Sequence, residues 1–141
     1  MMAATSVAGS LILMAFSDRI GRKKSLMIIH FSLALSILII LLARRNIPLL
    51  WIGIGCFGFF YGAIWPMYAA CVRDYFPKDM TSTILGTITL FYGVGAIVGP
   101  ILAGYLADLT QTFQWSFGLG VLVSLIAAAM VCFLGKPIEV E

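Results

Sequence analysis

Ser17-Asp18-Arg19-Ile20-Gly21-Arg22-Lys23-Lys24 packs five charges into eight residues between two stretches that carry none, Met1–Phe16 and Ser25–Ala43. The same alternation continues outward from it. Of the nine Lys/Arg and six Asp/Glu in the 141 residues, all others sit at Arg44–Arg45, Arg73–Asp79, Asp108 and Lys136–Glu141. A charge at mid-bilayer costs roughly 2.5–3.5 kcal/mol even on the lenient insertion scale, so charges confined to short interruptions are what a polytopic membrane chain requires. A spanning helix needs about 20 mostly apolar residues. Four segments meet that length: 25–43, 48–72, 83–107 and 115–134. A fifth, 1–16, is apolar but short, lacks the basic start of a signal peptide, and reads as the end of a span whose beginning is absent. The expected architecture is all-α: one integral-membrane domain over 1–141, a bundle of about five spans with the first truncated.

Composition excludes the main alternatives. Hydrophobic residues make up 62% and charged residues 11%, with a mean hydropathy of +1.07, whereas a soluble domain is about a quarter charged. The lipid bilayer is therefore the expected partner, and the net charge of +3 is explained by topology rather than by nucleic acid. Cys56, Cys71 and Cys132 lie in apolar runs without CxxC spacing, which reads as small buried hydrophobes. The one histidine, His30, has no ligand-type neighbour at helical spacing and reads as a packing or interfacial residue. Neither a metal nor a cofactor is expected. No span contains Asp, Glu, Lys or Arg, so the chain shows no fixed charge for a substrate ion and no nucleophile–base pair for an enzyme.

Orientation follows from the basic residues. If the N-terminal end faces outward, Arg19, Arg22, Lys23, Lys24, Arg73, Lys78 and Lys136 are cytoplasmic, and only Arg44 and Arg45 are outside. That bias places the C-terminus in the cytoplasm, with Trp51 and Trp115 beside the outer loops.

Three features bear on mechanism. In the charged turn, Asp18 is placed to cap the next helix and to pair with Arg22, while Gly21 permits a tight backbone. In the span 83–107, Gly86, Gly93, Pro100 and Gly104 share one helical face, and Gly95 and Gly99 fall on roughly the opposite one. Small residues let helices approach closely in lipid, and Pro removes a backbone bond, so this thin helix is expected to kink and to pack between neighbours. In the span 48–72, Gly58-Phe-Phe-Tyr-Gly62-Ala-Ile-Trp-Pro66 sets Tyr61, Trp65 and Tyr68 on one face.

The order D-R-x-G-R-K-K between two apolar spans resembles the cytoplasmic loop signature of the major facilitator superfamily, which joins the second and third spans and recurs between the eighth and ninth. The family's leading Gly, four residues before the Asp, is Met14 here. Gly95-Ala-Ile-Val-Gly99-Pro100 is similar to the GxxxGP pattern of facilitator helices, and with Gly104-Tyr-Leu-Ala-Asp108 it resembles the eleventh span of the oxalate/formate and monocarboxylate porter groups. The resemblance covers the whole chain as spans eight (part) to twelve. It implies that Asp18, Arg19, Gly21, Arg22 and Lys23 are latch residues, and that Gly58, Gly62 and Pro66, with Gly93, Gly95, Gly99, Pro100 and Gly104, shape helix packing and kinks. It also implies that Tyr61, Trp65, Tyr68 and Tyr92 are candidates to line a solute cavity. The implied function is secondary transport of a small molecule, with a lean to organic anions, in the cell membrane. The implied partner is the rest of the transporter, its N-terminal half.

A small stand-alone five-span protein, acting as an oligomeric channel or an assembly subunit, is the alternative. The two readings part at the gene. In-frame DNA upstream of Met1 is expected to encode further apolar spans, whereas a stop codon and a ribosome site there would favour the small protein.

Overall fold

A computed structural model describes residues 2–43 and 46–135. Six helices follow one another: α1 (Met2–Ile20), α2 (Arg22–Ala43), α3 (Ile47–Gly62), α4 (Ile64–Tyr75), α5 (Thr81–Thr110) and α6 (Gln114–Cys132). Of the residues used for orientation, Arg44, Arg45 and Lys136 lie outside the described residues. In hydrocarbon a backbone must satisfy its own polar groups, and an uninterrupted helix does so within one segment. Four stretches are long and apolar enough to cross a membrane: α2, α3–α4 taken together, α5 and α6. The short first span extends further than its apolar run, because α1 carries Asp18 and Arg19 in its last turn.

The span expected at 48–72 is two helices. Asn46 starts the first by accepting from the Leu49 amide at 3.2 Å, and Pro48 occupies the first turn, where its missing N–H costs nothing. The break falls at Ala63. Pro66 has no N–H to return to the Gly62 carbonyl, so the helical ladder lapses one turn before it. The Ala63 amide bonds instead to Phe60 at 3.3 Å, and the Met67 amide resumes the ladder on Ala63 at 3.0 Å. Pro100, by contrast, lies inside α5 without ending it.

α2 is the central helix, packed on α3 and α6 and touching α1 and α4. Leu26, Ile29 and Leu33 along one stripe of α2 meet Ala63, Met67 and Cys71 at and beyond the break, and these six form the buried core. Both sets repeat every three or four residues, the spacing of one helical face. His30 shares the α2 stripe and is buried with it.

Glycine sets the closest approach in the bundle. A Cβ at Gly9 would run into the Phe59 carbonyl, and one at Gly62 into the backbone of Ser6. Gly58 lies equally tightly against Met2 and Thr5, so α1 and α3 touch almost backbone to backbone. Gly53 does the same for α3 against Ile40 of α2. The glycines of α5 behave otherwise. A Cβ at Gly86, Gly93, Gly95, Gly99 or Gly104 meets nothing within 4 Å. Among the described residues α5 packs on α4 and α6 and meets α3 through the Tyr61–Tyr92 hydroxyl pair.

Gly9→Val and Gly62→Val should each destabilise the bundle by about 1–3 kcal/mol, the usual cost of overpacking, while Gly93→Ala should not. Melting of the 141-residue chain in detergent, followed by size exclusion, checks the contrast.

Candidate functional site

The charged turn folds into a compact ionic node where α1, α2 and α4 end together. α1 runs through Asp18 to Ile20, so Asp18 is a helical residue and does not cap α2 as expected. Gly21 makes the reversal: its φ of 98° lies in the left-handed region that favours glycine, and its amide donates to the Ser17 carbonyl at 2.9 Å. Arg22 opens α2 and is directed back into the bundle. Its Nη2 pairs with Asp18 Oδ1 at 2.6 Å, its Nε with Asp74 Oδ2 at 3.0 Å, and its Nη1 donates to Ser17 Oγ at 2.9 Å. The fork of the guanidinium is suited to such divided bonding, where an ammonium would supply only a point charge. Ser17, itself buried, donates onward to Met67 Sδ at 3.2 Å and ties the node to the core.

The two carboxylates are not equivalent. The Arg22 side chain is 15% exposed, Asp74 34% and Asp18 61%. Coulomb attraction is screened least where water is excluded, so the Arg22–Asp74 pair is the stronger half of the node. Exposed Arg73 lies 3.8 Å from the other Asp74 oxygen. Lys23 turns the other way, donating to the Cys132 carbonyl at 2.8 Å and the Leu134 carbonyl at 2.6 Å, and so anchors the last turn of α6. Arg19 forms no ion pair among the described residues. Sequence reasoning missed Asp74 and Ser17. Asp74 stood in the Arg73-Asp-Tyr-Phe-Pro loop, on the same side as the charged turn by the basic-residue bias, but nothing in the sequence pairs a loop residue with one 52 positions away.

The aromatic candidates divide into two groups. The Tyr61 and Tyr92 hydroxyls lie 2.8 Å apart, bridging α3 and α5. Trp65 packs edge-on to Tyr92 with ring centroids 4.8 Å apart, and Phe57 stacks on Tyr61 at 5.6 Å. Tyr68, expected on the same face, instead meets His30: its hydroxyl is 3.0 Å from His30 Nε2. Trp65 and Tyr68 both lie on α4 beyond the break, but Trp65 faces Tyr92 on α5 and Tyr68 faces His30 on α2. His30 and Ala127 border two open-sided cavities, of about 400 and 420 Å³, the first lined by α2, α4, α5 and α6 and the second by α2, α3, α5 and α6 with Ile64 at the start of α4. Tyr61 lines the second of them, and neither cavity is lined by an Asp, Glu, Lys or Arg. No group of three or more His, Cys, Asp or Glu able to hold a metal occurs among the described residues.

An ionic node at the ends of three helices, with apolar helices running from it, fits a membrane transporter. Residues 1–141 in full match the family model described as Major Facilitator Superfamily. The chain belongs to the major facilitator superfamily. It is accordingly a multi-pass integral membrane protein, of a family of transporters rather than enzymes. A bicyclomycin resistance protein homolog of Haemophilus influenzae is 39% identical over 79 residues, 55% of this chain and 19% of the relative. The efflux pump patC of Aspergillus clavatus is 38% identical over 58 residues, 41% of this chain and 10% of that protein. An MFS-type transporter of Bacillus subtilis, YfiU, is 26% identical over 121 residues, covering 85% of this chain and 23% of its own length. The chain thus matches a quarter or less of the length of each of these relatives.

Asp74→Asn should cost about 1–3 kcal/mol, because it leaves a half-buried guanidinium bond to a neutral acceptor. Asp18→Asn should cost about 0.2–1 kcal/mol, as exposed pairs do. Melting of the two variants side by side checks the order, which a purely surface role for both carboxylates would equalise.

Proposed function

We propose that these helices are spans eight to twelve of a facilitator-superfamily secondary transporter, which moves a small organic solute across the cell membrane by alternating access. In this reading the C-terminus faces the cytoplasm, as the distribution of Lys and Arg favours. The Arg22 node is the cytoplasmic latch. The observation that carries the reading is that one guanidinium holds three helix ends at once, through Asp18, Ser17 and Asp74. A contact of this kind favours one arrangement of the helix ends and must be released for another, which is what a two-state transporter needs. Tyr61, Trp65 and Tyr92 form part of the solute cavity wall. Their rings give apolar surface, and the two tyrosine hydroxyls give a polar handle that reorients without carrying charge.

The open faces of α5 support the rest of the proposal. A helix whose glycines leave two sides thin, with nothing among the described residues within 4 Å of a Cβ on either, is shaped to receive further helices. The N-terminal half of a transporter supplies them in this reading, and the chain alone is inactive. The lean to organic anions rests on the Gly–Pro pattern of α5, and neither cavity holds a cation that would neutralise an anion. The relatives described above are named for antibiotic resistance and efflux. The substrate class is therefore kept at small organic solutes.

The complete reading frame, expressed in a host sensitised to antibiotics and dyes, should confer export of at least one of them. Arg22→Gln should lower that export about tenfold or more at unchanged protein level, the scale expected when a few kcal/mol of gating contact is lost. Saturable uptake by vesicles containing only the 141-residue chain would contradict the reading.

A further inference from the structure

The ionic node opens on one side into a basic vestibule of about 490 Å³ between the start of α2 and the end of α6. Arg22, Lys23 and Lys24 line it together with Tyr75 and Leu134, and among the described residues no carboxylate does. Arg22 is already engaged by Asp18 and Asp74, so the uncompensated charge comes from the two lysines. Lys23 spends two of its donors on the α6 carbonyls and keeps a third. Lys24 is exposed and forms no ion pair among the described residues.

The vestibule does not stand alone. Tyr75 and Leu134 also line the apolar cavity of about 400 Å³ described above, so the two spaces adjoin across these two side chains. Beyond that wall the lining is mostly apolar, with Leu26, Ile84, Ile88, Met130 and Val131 on helices of membrane-spanning length, and its polar groups His30 and Tyr68 are bonded to each other. A ligand that fills both spaces needs an anionic end at the helix termini and a hydrocarbon tail running toward the bilayer centre. A free phosphate satisfies the first space and leaves the second unused, while a neutral lipid does the reverse. Basic pockets between spanning helices on the cytoplasmic side are known to hold anionic head groups.

We propose that this junction is a binding site for an anionic phospholipid, with its phosphate between Lys23 and Lys24 and one acyl chain in the slot between α2, α4, α5 and α6. The site lies against the Arg22 node without using its charges. A lipid seated there would press on Tyr75 and on the α6 end that Lys23 anchors.

Native mass spectrometry of the 141-residue chain in detergent, titrated with phosphatidylglycerol or phosphatidylcholine, tests the proposal. Phosphatidylglycerol should bind about tenfold or more tightly than phosphatidylcholine, given about fivefold for each ammonium beside an anionic head group. Lys24→Gln, which disturbs no helix end, should lower phosphatidylglycerol binding about fivefold. Ile84→Trp, which fills the slot without touching the lysines, should lower it by a similar factor with the melting temperature retained. Equal binding of the two lipids would overturn the proposal, as would binding unchanged in Lys24→Gln. Full displacement of phosphatidylglycerol by glycerol phosphate at matched concentration would overturn it in favour of a free anion, and unchanged binding in Ile84→Trp would remove the acyl chain from the site.

Discussion

Hydrocarbon offers a polar group no partner, and the arrangement of this chain follows from how it meets that condition. Charges are swept to the helix ends, where they find water or one another. Because several helices end on the same side, the charges swept there become neighbours. Arg22 is the result: one guanidinium reached by Asp18 from its own turn and by Asp74 from the end of α4, with Ser17 between it and the core. An ionic contact between helix ends concentrates stability where a transporter must also move.

The same solvent governs how helices meet. With no hydrophobic gain from leaving lipid for protein, close contact has to come from shape. Gly9, Gly58 and Gly62 supply it between α1 and α3, and Gly53 between α3 and α2. The glycines of α5 have the same chemistry, yet a Cβ on them would meet nothing within 4 Å among the described residues. That contrast underlies the proposal that further helices lie against α5.

Much of this was legible in the residues. The positions of the fifteen charges and the lengths of the apolar runs gave the helices to within a few residues, because charge exclusion and span length act locally. Asp18 and Arg22 were paired on sight, being one turn apart. What sequence could not supply was long-range register. Pro66 announced a disturbance, but only the fold shows the ladder lapsing at Ala63, and only the fold shows Tyr68 meeting His30 while Tyr61 and Trp65 meet Tyr92. His30 read as packing and is buried; that it also separates two cavities depends on α2, α4, α5 and α6 meeting around it. Asp74 was invisible for the same reason, since its partner is a tertiary one.

The central claim is that the Arg22 node holds the cytoplasmic side closed. In the full-length transporter, with native cysteines replaced and Tyr61→Cys introduced as a reporter, a membrane-impermeant maleimide applied from the cytoplasmic side measures access past the node. Arg22→Gln should raise the labelling rate about tenfold, corresponding to a shift of roughly 1–2 kcal/mol between the two arrangements. A rate unchanged or lowered by Arg22→Gln would contradict the account.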